Sequence, residues 1–347
     1  IMPSLVGSEM CIRDRLLTRS YVLMAQDKLI GIDLGGTTTK FALLTQTGKI
    51  VDKWSIKTQT EDHGSQILPN MIASIQAKLE EWKLTSQDIL GIGMGSPGSV
   101  DRKAGTVVGA YNLNWQEVQA VKATMEEELG LDFYLDNDAN VAALGEQWQG
   151  AGDQDPNLVF MTLGTGVGGG IILDNQLVHG AHDTAGEIGH LTVSNDRFDF
   201  PCTCGKSGCL ESIASASGIV KVAQQMLAEN KGQSQLYQVA DRGDLEAKVI
   251  FDLAKQGDDL ALLIVDIVCD YLAFAAGNIA NIVNPSVIVI GGGVSQAGAI
   301  LKETVEKHLA DYLFPPLRDK TRVKIAQLES DAGVIGAGSL VLKEKLA

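Results

Sequence analysis

Residues 29–45 read LIGIDLGGTTTKFALLT, and residues 158–174 read LVFMTLGTGVGGGIILD. Each stretch is an apolar strand, a Gly/Thr turn and a second apolar strand. The two align without a gap at a constant offset of 129 residues. Self-similarity at a fixed spacing indicates a duplicated structural unit. Each second strand runs into a turn signal, Thr47-Gly48 and Asp174-Asn175, after which a third short strand is expected. The glycines join strand to strand. A Walker loop closes with Lys-Ser/Thr onto a helix, and a dinucleotide fingerprint joins strand to helix, so both are excluded. Any hairpin can use glycine, but two equivalent Gly/Thr hairpins in one chain indicate a shared task.

Working outward, periodicity predicts helices over 66–82, 115–129, 212–228 and 260–283. Strands are expected at 89–94, ending in Gly95-Ser96-Pro97-Gly98, and at 132–135, ending in Asp136-Asn137-Asp138. A buried strand at 287–290 ends in Gly291-Gly292-Gly293. The closing helix, about 333–345, is apolar and rich in small residues and should pack tightly. Strands and helices alternating on a duplicated plan predict an α/β protein with two lobes and a cleft. The expected lobes are 24–139 with about 330–347, and 140–329.

The 347 residues carry a net charge of −15, with 45% hydrophobic and 20% charged residues. Such a surface repels nucleic acid phosphates and anionic lipid, so neither is an expected partner. No uninterrupted apolar run reaches the 18 or so residues of a membrane span, and a cytoplasmic protein is expected. Residues 1–23 carry Glu9, Arg13, Asp14 and Arg15 and lack the apolar stretch of a signal peptide. Met24-Ala25-Gln26 reads as the natural start. Residues 1–23 read as a non-native leader, and 4–15 resemble a translated adapter. Of five cysteines, Cys11 falls in that leader, Cys269 in an apolar helix, and Cys202, Cys204 and Cys209 crowd together. Without a secretory signal the cluster favours a metal over disulfides. His190-x11-Cys202-x-Cys204-x4-Cys209 reads either as a complete tetrahedral set with no open position, as in structural zinc sites, or as three buried or redox-active thiols beside a core histidine.

Asp33-Leu34-Gly35-Gly36-Thr37, Asp136-Asn137-Asp138-Ala139-Asn140, Leu163-Gly164-Thr165-Gly166, Gly186-Glu187-Ile188-Gly189-His190 and the segment from Cys202 to Glu211 resemble, in this order, the motifs of the ROK family. That family contains repressors, open-reading-frame proteins and sugar kinases. The similarity runs from about Leu29 to Leu340 and is strongest to the glucokinases of Gram-positive bacteria. It implies the duplicated actin-like ATPase (ribonuclease H-like) fold, ATP with Mg²⁺ as donor, glucose as acceptor, a structural Zn²⁺, and a homo-oligomer, with a dimer favoured.

By the same resemblance the two hairpin turns hold phosphate. The candidates are Gly35, Gly36, Thr37 and Thr38, with Lys40 as either a further contact or a solvated strand lysine, and Gly164, Thr165 and Gly166. Glycine turns let backbone N–H groups converge on an anion, which an acidic protein needs locally. Asp33, whose counterpart in the second half is Thr162, is implied to orient hydrated Mg²⁺. Gly291, Gly292 and Gly293 resemble the adenosine motif. Asp136 and Asp138 are both candidate bases by residue type, and the resemblance selects Asp138, with Asn137 as a sugar ligand. Asp138 also suits a helix N-cap, where the helix dipole favours its ionised form. Glu187, His190 and Glu211 are implied sugar ligands, with Ser96 and Gly98 as a further wall and either Asn112 or Asn114 reaching the sugar. One imidazole nitrogen of His190 can bind the metal while the other faces the sugar. His63, His179, His182 and His308 show no such partners and are expected on the surface.

Other acceptors share this machinery: mannose, fructose, N-acetylmannosamine or N-acetylglucosamine. A polyphosphate donor would favour a basic groove, against the acidic composition. ROK repressors carry a helix-turn-helix before the first hairpin and tend to lose parts of the ATP site. Only 28 residues precede Leu29 here, and Asp33, both loops and Asp138 are all present, so a kinase is expected over a sugar sensor.

Overall fold

A computed structural model of the chain describes residues 27–193, 197–230 and 232–346. The expected leader, residues 1–23, lies outside them. The chain divides into two compact units, one running to Asp138 and resuming at Gly333, the other spanning Ala139–Ala332.

The first unit holds a sheet in the order β3-β2-β1-β4-β7, built from β1 (Lys28–Leu34), β2 (Thr38–Thr45), β3 (Ile50–Lys57), β4 (Ile89–Ser96) and β7 (Phe133–Asn137). β1, β2 and β3 form an antiparallel meander, and β4 and β7 add in parallel. A short ribbon of β5 (Ser99–Asp101) and β6 (Thr106–Val108) stands apart. The second unit repeats the plan as β10-β9-β8-β11-β12: β8 (Leu158–Leu163), β9 (Val167–Leu173) and β10 (Gln176–Leu177) form the meander, with β11 (Val287–Gly291) and β12 (Arg322–Ile325) parallel to it. The repeat read from the sequence is thus a repeat of topology. Leu34 faces Thr39 across the first turn, and Leu163 faces Val167 across the second.

The helices are α1 (Ile67–Trp82), α2 (Val121–Leu129), α3 (Asp138–Gln149), α4 (Leu210–Ala214), α5 (Ala216–Glu229), α6 (Gln235–Asp241), α7 (Ala247–Lys255), α8 (Asp259–Val283), α9 (Ala299–Tyr312) and α10 (Ala332–Leu346). Two expectations need correction. The helix expected over 115–129 begins only at Val121, because Trp115 is held by a bridge to Ala110 and donates its indole N–H to the Gly64 carbonyl. The helix expected over 212–228 is two helices. Ser215 adopts extended backbone angles between them, and its hydroxyl accepts from the Gly218 N–H at 3.0 Å. α8 is long and apolar enough to cross a membrane, although Asp266 and Asp270 interrupt its apolar run. Of its most apolar stretch, 67% is buried inside the protein, as for a core helix.

α10 closes the first unit against β1 and β4, and glycines set its distance. A Cβ on Gly31 would lie 2.0 Å from the Val334 carbonyl oxygen, and one on Gly93 would lie 1.9 Å from that of Ala337. Glycine normally weakens a strand. Here it admits helix backbone directly onto the sheet. Gly31→Ala and Gly93→Ala are each expected to destabilise the protein by about 1–3 kcal/mol through overpacking, read as a lower midpoint in urea denaturation.

Candidate functional site

In the first unit the turn Gly35-Gly36-Thr37 is pinned from outside its own hairpin. The Gly35 N–H donates to the Thr38 carbonyl at 3.2 Å, closing the turn. Thr58, just beyond β3, donates its N–H to the Thr37 carbonyl at 3.0 Å and its hydroxyl to the Gly35 carbonyl at 2.7 Å. Its hydroxyl also meets that of buried Thr39 at 2.9 Å. The carbonyls are thus committed, while among the described residues none accepts from the N–H of Gly36 or Thr37. Asn112 packs against Gly36, where a Cβ would lie 2.9 Å from the Asn112 carbonyl oxygen. Asn114 instead gives its side-chain amide to the Thr60 carbonyl at 3.2 Å. Of the two asparagines, Asn112 therefore borders the turn.

Asp33 lies directly across from Lys40, with Oδ2 3.6 Å from Nζ. Lys40 is thus a strand lysine, 40% exposed, that reaches back to this carboxylate. Burial pushes the Asp33 carboxyl above its ordinary range, and Lys40 opposes that shift. Gly333, at the start of α10, meets this carboxylate: a Cβ there would lie 2.7 Å from Asp33 Cγ. Ser96 is fully buried, its hydroxyl bonded to the Pro97 carbonyl. Gly98 has φ +89° and no room for a side chain against Ala110.

The two candidate bases separate clearly. β7 extends through Asn137, and Asp138 is the first residue of α3. Asp136 is buried, with Oδ2 3.2 Å from Arg102 Nε, and Arg102 also pairs with Glu344 of α10. Oδ1 of Asp136 accepts from the Asn137 N–H at 2.7 Å. Asp136 is therefore a structural anion, whereas Asp138 is exposed at a helix N-terminus.

In the second unit the turn Gly164-Thr165-Gly166 has the same logic. The Gly164 N–H donates to the Gly166 carbonyl at 2.9 Å, and the Gly164 carbonyl accepts from Ala216 at 2.8 Å. Among the described residues none accepts from the N–H of Thr165 or Gly166. Gly164 and Thr165 open on a cavity of about 560 Å³ that also reaches Gly293. Its walls include Val220 of α5, Leu245, Phe251 of α7 and Val294. Gly292, at φ +80°, presses on Leu163, where a Cβ would lie 2.5 Å from the carbonyl oxygen.

His190, Cys202, Cys204 and Cys209 bring their ligand atoms within 4.8 Å of one another. Cys202 Sγ lies 3.6 Å from His190 Nδ1, and Cys204 Sγ lies 3.7 Å from Cys209 Sγ. Metal–sulfur bonds of about 2.3 Å and metal–nitrogen bonds of about 2.0 Å give tetrahedral edges of about 3.5–3.8 Å, so the donor set fits a tetrahedral metal. Burial and the neighbouring thiols push Cys209 up to about 12, while the Lys206 backbone N–H lowers Cys204. The other ring nitrogen of His190, Nε2, lies 3.9 Å from Glu187 Oε2. Glu211 follows Cys209 on α4, with Oε2 accepting from the Val167 N–H at 3.0 Å.

One histidine departs from expectation. His308 on α9 is half-buried between Asp266 and Asp270 of α8, at 2.9 and 3.5 Å. Nothing local to His308 points to this contact, because the carboxylates lie some forty residues away.

The ROK family profile matches residues 29–344. The chain belongs to the ROK family. It is 45% identical over 317 residues to a glucokinase of Halalkalibacterium halodurans, covering 91% of this chain and 95% of that protein. It is also 31% identical to a putative xylose repressor of Caldicellulosiruptor sp., covering 92% of this chain and 79% of that one. Among solved structures, a ROK family glucokinase of Streptomyces griseus in complex with glucose and AMPPNP superposes with a TM-score of 0.72 at 31% identity, covering 90% and 98% of the two chains. Besides His308, this ROK chain shows features near its motifs that its sequence did not reveal: the Arg102 partner of Asp136, and the helix-borne walls of the cavity. Both come from segments with no motif of their own.

Arg102→Ala would remove the cation that pairs with buried Asp136. Removing one partner of a buried pair costs about 3–5 kcal/mol, and Arg102 is 26% exposed, so a loss of about 2–4 kcal/mol in urea unfolding is expected.

Proposed function

We propose that this ROK protein is an ATP-dependent sugar kinase of the actin-like ATPase fold that phosphorylates glucose at its 6-hydroxyl. The observation that carries the reading is the second turn: backbone N–H groups of Thr165 and Gly166 with no acceptor among the described residues, beside a 560 Å³ cavity whose walls combine Val220, Phe251 and Val294 with Glu246, Lys248, Asp252 and Lys255. That combination suits a nucleoside next to its phosphates. Polyphosphate has no base to fill such a cavity, so ATP is the favoured donor.

Phosphoryl transfer relies mostly on positioning and charge neutralisation. Gly35, Gly36, Thr37 and Thr38 in one turn, and Gly164, Thr165 and Gly166 in the other, are proposed to bind the phosphates, with Gly291, Gly292 and Gly293 along the adenosine. Asp33 would orient the waters of Mg²⁺, which when bound neutralises phosphate charge. The 6-hydroxyl oxygen attacks the γ-phosphorus, its proton passes to the Asp138 carboxylate, and ADP leaves. Asn137, Glu187, His190 and Glu211 are proposed hydroxyl ligands, with Ser96 and Gly98 shaping the pocket. Zn²⁺ on His190, Cys202, Cys204 and Cys209 would fix the His190 ring without entering the chemistry. Glucose as acceptor is supported by the glucokinase relatives. The repressor relative favours a non-catalytic sugar sensor, but exposed Asp138 and both turns argue for catalysis.

Asp138→Asn is expected to leave sugar binding intact while lowering kcat by roughly 10³-fold, as for loss of a general base. Turnover near that of the parent in purified variant, its mass verified, would remove Asp138 from this role.

A further inference from the structure

Glu211 touches more than an acceptor ligand needs to. Its Oε2 accepts from the Val167 N–H at 3.0 Å, the first peptide of β9 after the Gly164–Gly166 turn. Its Oε1 accepts from the Thr203 hydroxyl at 3.3 Å and lies 3.8 Å from Cys202 Sγ. One carboxylate therefore bridges the cysteine loop and the proposed phosphate turn. The fit is close, since a Cβ on Gly166 would lie 2.4 Å from Oε2. The histidine side of the cluster bears on the same residue. Gly189, beside His190, approaches Val167 so closely that a Cβ would lie 2.0 Å from the Val167 carbonyl oxygen.

Both arms of the four-ligand cluster thus press on Val167, one through the Gly189 backbone and one through the Glu211 carboxylate. A metal that draws His190 and the three cysteines together would hold both arms in place. Few other contacts hold the turn: Ala216 donates to Gly164, and the Ser217 hydroxyl reaches the Thr165 carbonyl at 3.5 Å. We propose that Glu211 is a positioning residue for the nucleotide phosphates, transmitting the order of the metal-bound cysteine loop to the Gly164–Gly166 turn. This rests on the reading of that turn as a donor-phosphate site. A charge-assisted hydrogen bond to a backbone N–H is among the stronger ones, and a loosened turn must be ordered again on binding.

The test is calorimetric titration of sugar-free protein with Mg²⁺ and the non-hydrolysable ATP analogue AMPPNP, with zinc measured by elemental analysis. The parent should hold one zinc per chain. Glu211→Ala should keep that zinc and bind the analogue roughly ten-fold more weakly. Glu211→Gln, whose amide oxygen can still accept from Val167, should bind within a few-fold of the parent, and Gly166→Ala should weaken binding as Glu211→Ala does. Chelator-stripped parent should lose a similar factor, and stripping Glu211→Ala should add little, because the two act through one path. Parent-like or tighter binding by Glu211→Ala, or losses from metal removal and substitution that simply multiply, would overturn the proposal while leaving the donor site standing. A parent that binds no analogue would overturn both.

Discussion

Two short turns carry the structure's main demand: a glycine-rich backbone that must keep one shape while its outer N–H groups stay open, as the proposed anion binding requires. A Gly-rich turn gains close approach at the expense of order. In each unit the missing order comes from a neighbour that engages the carbonyls or the flanking peptide and leaves the outer N–H groups with no acceptor among the described residues. Thr58 does this for Gly35 and Thr37, and Ala216 with Glu211 does it for Gly164 and Val167. The two solutions use different residues on the same topology. The sheet order is repeated, and the buttresses are not.

Charge follows the same economy. A chain of net charge −15 that binds phosphates as proposed would hold them by local dipoles, since its overall field opposes them. Its carboxylates near the motifs are accordingly assigned. Asp136 is neutralised by Arg102, Asp33 is opposed by Lys40, and Glu211 is spent on a backbone N–H. Exposed Asp138, at the start of α3, is the carboxylate in the Asp136-Asn137-Asp138 segment that faces outward.

Much of this was legible in the residues because the decisive features are local. The offset of 129 residues foretold both meanders, since strand, turn and strand are contiguous, and the His–Cys spacing foretold a cluster that needs only one loop to close. What could not be read depends on long-range packing. Arg102 meets Asp136 across 34 residues of chain, and His308 meets Asp266 across 42. The cavity walls at Val220 and Phe251 come from helices whose sequences say only that one face is buried. Trp115 was misplaced in a helix because its partner, the Gly64 carbonyl, is 51 residues away. The resemblance selects Asp138 over Asp136, and the structure adds that Asp136 is buried against Arg102 while Asp138 is exposed.

The central claim is that the two turns serve phosphoryl transfer from ATP to a sugar. Steady-state ADP formation in a coupled assay, with ATP and then polyphosphate as donor across glucose, mannose, fructose, N-acetylglucosamine and N-acetylmannosamine, tests it most directly. The account predicts ADP release from ATP that requires sugar, with the highest kcat/KM for glucose. Sugar that binds but stimulates no ADP release from ATP would contradict it and make the protein a sensor.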